Sequence, residues 1–340
     1  MMIYKTAIIG CGRIGCGFDD KSTQYIKTHA GAYSKCKKTQ LVALCDIDKS
    51  KQKKYGKKYK ISKLYSDYKL MLNENQFDII SICTHASNHH QIVKEAIRSN
   101  VRGIFIEKPF ANSLENAQKI SELCRKNKTK LVIDYQREYI PIYHHLKKIL
   151  KLKKIGDIRK IIIHYGGGIA NTGSHIFDVL LLMFGSVKKI TAKKSNSKSS
   201  NRLDPNLDLV IELKDGVICM LNALDINNYG ILEIDIFGTK GRIRIDLVKH
   251  SAELFDISTK GLVYSELKKR RDIIAKKENE PILRALEDLI KSIEKNSQPV
   301  SSHDQGINSL ELIIGSMISK NQNKTVRLPL QNRKFRIYSK

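Results

Sequence analysis

Hydrophobic and polar positions follow two different regimes along this chain. In the first third, short apolar stretches at 6–9, 40–45, 77–83, 103–106 and 130–133 are rich in Ile, Val, Leu and Ala, the signature of strands buried on both faces. Between them, 89–98 and 113–126 carry apolar residues at helical spacing, with Asn112 or Ser113 as the cap of the latter. Strand and helix signals that alternate in this way predict a parallel sheet with helices on both faces.

After about residue 135 the pattern changes. A helix is expected over 141–153, a strand over 159–165, a glycine turn at 166–168 and a helix over 172–184. From 188 to 263 short strands follow one another, with hairpin turns at Lys214-Asp215-Gly216 and Gly238-Thr239-Lys240-Gly241. Strands in direct succession predict an antiparallel sheet. The polar stretch 193–206 reads as a mobile loop. Helices return over 281–295, with a proline near the first helical position, and over 303–319, and 324–330 reads as a last strand. The fold class is therefore α/β, with a Rossmann parallel sheet in residues 1–135. An α+β domain with a large, mostly antiparallel sheet follows in 136–340, and its basic tail is placed to pack back.

Composition narrows the classes. At 340 residues, 41% hydrophobic and 28% charged, the chain is an ordinary globular protein with room for a sizeable core. No apolar stretch approaches the roughly 20 residues of a membrane helix. Residues 1–10 read as a strand running into a glycine turn and lack a signal peptide's layout. A cytoplasmic protein with no membrane partner is expected. Seven scattered cysteines, without a Cys-x-x-Cys pair or a His/Cys cluster, indicate buried reduced thiols and no metal. The net charge of +27 admits nucleic acid, a membrane surface or an anionic substrate. It is mostly lysine, spread without aromatic interleaving or a nucleic-acid motif. A solvated lysine surface that steers a small anionic substrate accounts for it, with no specific nucleic-acid partner.

The candidate chemistry begins at Gly10-Cys11-Gly12-Arg13-Ile14-Gly15, a Gly-x-Gly-x-x-Gly turn straight after the first strand. Gly10 makes the tight turn, Gly12 lets backbone approach a pyrophosphate, and Gly15 lets helix and sheet pack closely. Asp46 ends the second strand, where a carboxylate accepts from ribose hydroxyls and repels a 2′-phosphate, favouring NAD over NADP. Asp46 as a simple loop cap is the bland alternative, and Arg13, Lys49 and Lys51 nearby keep NADP open. Glu107-Lys108-Pro109 closes the apolar run 103–106. A lysine at that carboxyl strand end faces the ligand crevice of an open α/β sheet and can stabilise charge at a reacting oxygen. His175 is the candidate for the proton, since oxidising a carbinol requires its removal and imidazole titrates in the right range. Asn171, four residues earlier, shares a helical face with it and either holds a substrate hydroxyl or caps the helix. Arg137 meets a substrate anion or forms a salt bridge at the domain junction.

With these residues in place, the chain resembles the glucose–fructose oxidoreductase / inositol dehydrogenase (Gfo/Idh/MocA) family of NAD(P)-dependent oxidoreductases. The resemblance spans nearly the whole length: Gly10 to Gly15, Asp46, Thr84 with His89, Glu107-Lys108-Pro109, Gly173-Ser174-His175-Ile176-Phe177-Asp178 and Thr325-Val326-Arg327-Leu328-Pro329-Leu330. It implies that Arg13, Ile14, Thr84, His89 and Glu107 line the cofactor alongside the glycines and Asp46. It implies that Lys108 contacts substrate beside the nicotinamide, and that the protein forms a homodimer or homotetramer. Two residues depart from the family pattern. His85 stands where members usually have proline. Asn171 replaces the aspartate of many members, which puts an Asp–His relay in doubt and is similar to members acting on nucleotide-activated sugars. The function implied is hydride transfer on a nucleotide-linked sugar in surface-glycan biosynthesis, with a free-sugar or inositol dehydrogenase as the alternative. A catalytically silent NAD-sensing protein is the alternative from another class.

Overall fold

A computed structural model describes residues 2–20, 25–199, 201–258, 264–274 and 280–338. The chain forms two compact units: Met1–Tyr139 with Glu280–Ile307, and Ile140–Asn279 with Asn308–Lys340.

The first unit alternates strand and helix as the pattern predicts. Its elements are β1 (Tyr4–Ile9), α1 (His29–Lys35), β2 (Thr39–Cys45), α2 (Lys49–Tyr59), β3 (Lys63–Tyr65), α3 (Tyr68–Glu74), β4 (Ile79–Ile82), α4 (Ala86–Arg98), β5 (Gly103–Ile106), α5 (Leu114–Lys126) and β6 (Lys130–Ile133). The six strands are all parallel, in the order β3-β2-β1-β4-β5-β6. That order reverses between β1 and β4, which opens a crevice at the carboxyl ends of those strands. Side-chain caps start four of the helices: Thr28 Oγ1 accepts from Gly31 N–H, Asp48 from Ser50, Asp67 from Lys69 and Ser113 from Asn116. β4 is buried throughout and β1 everywhere but at Lys5, with Ile8, Ile79, Ile80 and Ile82 at or near zero exposure, as strands covered on both faces must be.

One helix sits apart from the expected division at 135/136. Pro281–Lys295 buries Ile282, Ala285, Leu286, Leu289 and Ile290 in the core of the first unit, against β5 and β6. A Cβ on Gly103 of β5 would stand 2.7 Å from Ile293 Cδ1, so any larger residue there would make the Ile293 side chain shift. The amphipathic spacing of 281–295 shows that one face is buried. Which sheet receives it depends on tertiary packing that periodicity does not encode.

The second unit contains α6 (Pro141–Lys151), β7 (Ile158–Tyr165), α7 (Gly173–Phe184) and strands β8 (Val187–Lys194), β9 (Leu207–Leu213), β10 (Ile218–Ala223), β11 (Glu233–Gly238), β12 (Gly241–Asp246), β13 (Ser251–Ser258), β14 (Glu266–Ile274) and β15 (Val326–Arg327). The nine strands run β14-β13-β12-β11-β7-β10-β9-β8-β15, antiparallel except for β7 with β10. Strict alternation in β9, with Leu207, Leu209, Ile211 and Leu213 buried and Asp208 and Val210 exposed, shows one covered face and one open face. Both hairpin turns read from sequence connect antiparallel neighbours here, β9 to β10 and β11 to β12. Expectations for 259–263 lie outside the described residues. The stretch 193–206 departs from a mobile loop: β8 runs through Lys194, and Asp204 and Asn206 are each 2% exposed. Ser200 within it lies outside the described residues. Polar composition reads as solvent exposure, whereas these side chains are buried because they bond backbone.

Leu289→Ala should lower the unfolding free energy by about 2–5 kcal/mol in urea titration, because it opens a cavity beneath the sheet of the first unit. A change within about 0.5 kcal/mol, as for a surface position, would show that the 281–295 helix is not docked there.

Candidate active site

The glycine turn is built by steric exclusion. Gly10 has φ +101°, and a Cβ there would lie 2.6 Å from Cys83 O in the loop after β4. A Cβ on Gly15 would lie 2.1 Å from Gly10 O. Gly12 differs, since a Cβ there meets nothing within 4 Å. Two of the glycines are thus required for the turn to close, and the third leaves open space in front of backbone. That arrangement fits a dinucleotide's pyrophosphate, which needs close backbone approach and no side chain. The segment that follows is a π-helical turn, Arg13–Gly17, and not the regular helix expected after the fingerprint. Cys16 and Gly17 N–H both donate to Gly12 O, at 3.0 and 3.1 Å. Ile14 is half-buried against the core, and Arg13 is exposed with its guanidinium 4.8 Å above the Phe18 ring.

Asp46 is fixed at the mouth of this turn. Its carboxylate accepts from Cys11 N–H at 2.6 Å and Asp48 N–H at 2.9 Å, while its carbonyl oxygen accepts from Gln52 Nε2. The loop-cap reading and the ribose reading are therefore compatible, since two backbone donors leave further lone pairs on a half-buried carboxylate. Lys51, the nearby candidate for a 2′-phosphate, forms an ion pair with Asp48 at 3.2 Å.

The loops after β4 and β5 are tied together by His89. Its Nε2 lies 3.0 Å from Thr84 O and its Nδ1 3.1 Å from Phe110 O. Burial pushes the imidazole down, against the opposing pull of those two carbonyls. A neutral imidazole carries one N–H and donates to one of these two carbonyls, and the ring, packed between them, sets the spacing of the Thr84 and Lys108 loops. His85, exposed, sits at the N-cap of α4 without a side-chain cap bond. Lys108 is half-buried at the carboxyl end of β5 and precedes a cis proline, Pro109. Glu107 turns inward instead: it is 7% exposed and its Oε1 lies 3.1 Å from His29 Nε2. Arg137 lies half-buried in the 3₁₀ turn Gln136–Tyr139.

In the second unit, Asn171 occupies a π-helical turn, Gly168–Thr172, directly before α7. It is exposed and lies outside the α-helix that carries His175, so the expected shared helical face is interrupted. Its Nδ2 reaches Gly167 O only at 3.5 Å, while Ser174 Oγ donates to its carbonyl at 2.7 Å. His175 is half-buried in the first turn of α7, and Asp178, one turn on, is buried. Asp204 and Asn206, which sequence reasoning placed in a mobile loop, organise this turn. Asp204 accepts from Ala170 N–H at 2.7 Å and Asn171 N–H at 2.9 Å, and Asn206 Oδ1 accepts from Gly168 N–H at 2.9 Å. A Cβ on Gly168, at φ +92°, would stand 2.3 Å from Asp204 Oδ2. The available signal was the pair of acceptor side chains flanking Pro205, which is weak without the fold.

Comparison with known proteins decides the lineage. Residues 4–135 match the family described as oxidoreductase family, NAD-binding Rossmann fold, and residues 162–328 match its C-terminal alpha/beta domain. The chain belongs to the Gfo/Idh/MocA oxidoreductase family. Among curated Gfo/Idh/MocA relatives, a D-apiose dehydrogenase of Paraburkholderia graminis is 24% identical over 256 residues, covering 68% of this chain and 66% of the relative. The inositol 2-dehydrogenase of Salmonella typhimurium is 26% identical over 268 residues, covering 74% of this chain and 76% of the relative. Among solved structures, the WlbA dehydrogenase of Bordetella pertussis in complex with NADH and UDP-GlcNAcA shares the fold at TM-score 0.78 and 17% identity, covering 97% and 100% of the two chains. An oxidoreductase of Agrobacterium radiobacter with NAD+, L-tartaric acid and magnesium gives TM-score 0.76 at 18% identity, covering 95% and 98%.

The two glycines should separate in stability measurements. Gly15→Ala forces backbone apart and should cost at least about 2 kcal/mol, whereas Gly12→Ala should remain within about 1 kcal/mol of wild type. Equal costs in thermal or urea unfolding would contradict the steric account of the turn.

Proposed function

We propose that this protein is an NAD-dependent dehydrogenase or reductase of a sugar carbon, and that the sugar is carried on a nucleotide diphosphate. The observation that carries the first half is the glycine turn: Gly10 and Gly15 are sterically obligatory, Gly12 is open, and Asp46 is held beside them. Gly10, Gly12, Gly15 and Asp46 would hold NAD, which supplies the hydride acceptor or donor when bound. Lys108 places a cation at the reacting oxygen and stabilises the charge that develops there. His175 takes the hydroxyl proton in oxidation and returns it in reduction. Asn171 holds a sugar hydroxyl and, being an amide, offers no carboxylate at that position. A positively charged surface favours encounter with an anionic substrate.

The nucleotide-linked substrate is supported by Asn171 and by the shared fold with WlbA, solved with UDP-GlcNAcA. A free sugar or cyclitol is the second reading, because the curated relatives include apiose and inositol dehydrogenases. Self-association through the open sheet face, where Val210 and Met220 are exposed, belongs to the same proposal. So does a cytoplasmic setting. Among the described residues no helix is long and apolar enough to cross a membrane.

Lys108→Ala and His175→Ala should each reduce turnover by about 10²–10⁴-fold while NADH affinity, measured by fluorescence, is retained. Loss of cofactor binding in either variant would show the residue to be misassigned. Asp46→Ala should weaken NAD by about tenfold or more and narrow its advantage over NADP, since the carboxylate both accepts from ribose and repels a 2′-phosphate. Unchanged selectivity would leave Asp46 as a loop cap alone. Steady-state assay of wild type against paired free and nucleotide-linked sugars separates the two substrate readings. No turnover with either class, despite NAD binding, would favour a catalytically silent sensor.

A further inference from the structure

Beneath the loop that carries Lys108, the first unit buries an unbroken run of polar side chains. Tyr33 Oη lies 2.7 Å from Ser81 Oγ, Ser81 Oγ lies 2.8 Å from His29 Nδ1, and His29 Nε2 lies 3.1 Å from Glu107 Oε1. Glu107 and Asp134 follow the neighbouring parallel strands β5 and β6, so their carboxyl groups enter the same space. One atom from each of His29, Glu107 and Asp134 lies within 4.8 Å of the other two. Gln136 Nε2 donates to Asp134 Oδ2 at 2.9 Å, while Asp134 Oδ1 is buried and receives no hydrogen bond. His29 is fully buried, and Glu107 and Asp134 are 7% and 2% exposed.

We propose that Glu107 and Asp134 hold one proton between them, carried on Asp134, and that this pair positions Lys108. The second half rests on the role given to Lys108 above, and the first half does not.

Two adjacent buried carboxylates cannot both ionise without a counter-charge. His29 does not supply it, because burial holds its imidazolium down to about 4. Cys83, the thiol that faces both acids, is pushed up by burial and by their charge and stays neutral. Tyr33, at the far end of the run, is raised by burial and stays protonated. Among the described residues the lysine that acts on the pair is Lys108, and it acts on Glu107. Glu107 also has His29 Nε2 within hydrogen-bond distance, so it is the better place for the negative charge. Asp134 is pushed up to about 8 by burial and by the charge of Glu107. A proton on Asp134 Oδ1 gives that oxygen the hydrogen bond it lacks and directs it at Glu107. The Glu107 side chain is then held from two sides, which fixes the backbone from which Lys108 departs. Above about pH 8 the proton leaves, the pair repels itself, and the charge facing Lys108 doubles.

The test compares the full-length protein with Asp134→Asn, which keeps a donor toward Glu107 and an acceptor for Gln136. Folded Asp134 retains its proton up to about pH 8, whereas the unfolded residue releases it near 3.8. The stability it contributes is therefore complete in acid and drains away as pH rises toward 8. The ratio of wild-type to variant folding constants should fall on the order of tenfold per pH unit across that window and then level off. Parallel stability profiles would overturn the shared proton. Should Asp134→Asn fail to fold, infrared spectroscopy of wild type labelled with ¹³C-aspartate should show a protonated carboxyl at neutral pH, and its absence would overturn the proposal. A stoichiometric divalent metal in the purified protein, whose chelation lowers the melting temperature of wild type alone, would also overturn it, by assigning the same three ligands to a cation. For Lys108, wild-type turnover should decline above about pH 8 while the variant's does not, with NADH affinity equal in both. A shared alkaline limb would refute the positioning role. If no substrate turns over, stability and infrared spectra still decide the proton pair.

Discussion

Closure of the turn after β1 onto the loop after β4 is the constraint from which the rest of the first unit follows. Gly10 must take a positive φ and lie where any side chain would strike Cys83 O, and Gly15 must lie where any side chain would strike Gly10 O. This contact sets the two loops at the point where the strand order reverses, which in an open parallel sheet is where ligands bind. Asp46, Thr84, Glu107, Lys108 and Asp134 then arrive at the same edge simply because each follows the carboxyl end of a parallel strand. No special loop is needed to gather them. His89 adds a crossbar between two of these loops, and burial pushes its imidazole down.

Much of this was legible in the sequence because the relevant rules are local. β5, β6 and the 281–295 helix begin and end where their apolar runs do, since strands buried on both faces leave no ambiguity of period. The glycine fingerprint was legible because steric exclusion at fixed spacing leaves few residue choices. The π-helical turn at Arg13–Gly17 was not, because backbone geometry of that kind has no residue signature at this spacing. Asp204 and Asn206 were missed for a related reason. Their partners are the backbone N–H groups of Gly168, Ala170 and Asn171, far away in sequence, and buried hydrogen bonding makes a polar segment look like a solvent loop.

The chemistry divides in the same way. Lys108 and His175 could be singled out because a cation and an imidazole are the residue types hydride chemistry on a carbinol requires. Glu107 was assigned to the cofactor, yet its carboxylate points to His29 and Asp134. Neither of those partners carried a motif, and only adjacency of β5 and β6 in the sheet brings the two acids together. A protein with net charge +27 thus places two carboxyl groups in a buried region, where one proton changes the field at Lys108. Surface charge governs encounter, and the buried pair governs the local electrostatics.

The most direct test of the account is to mix purified protein with NAD+ and matched pairs of nucleotide-linked and free sugars, and follow nicotinamide reduction by absorbance. The account predicts NADH formation with the nucleotide-linked sugar and far less with the free one. Tight NAD+ binding without NADH formation from any sugar, free or nucleotide-linked, would contradict it.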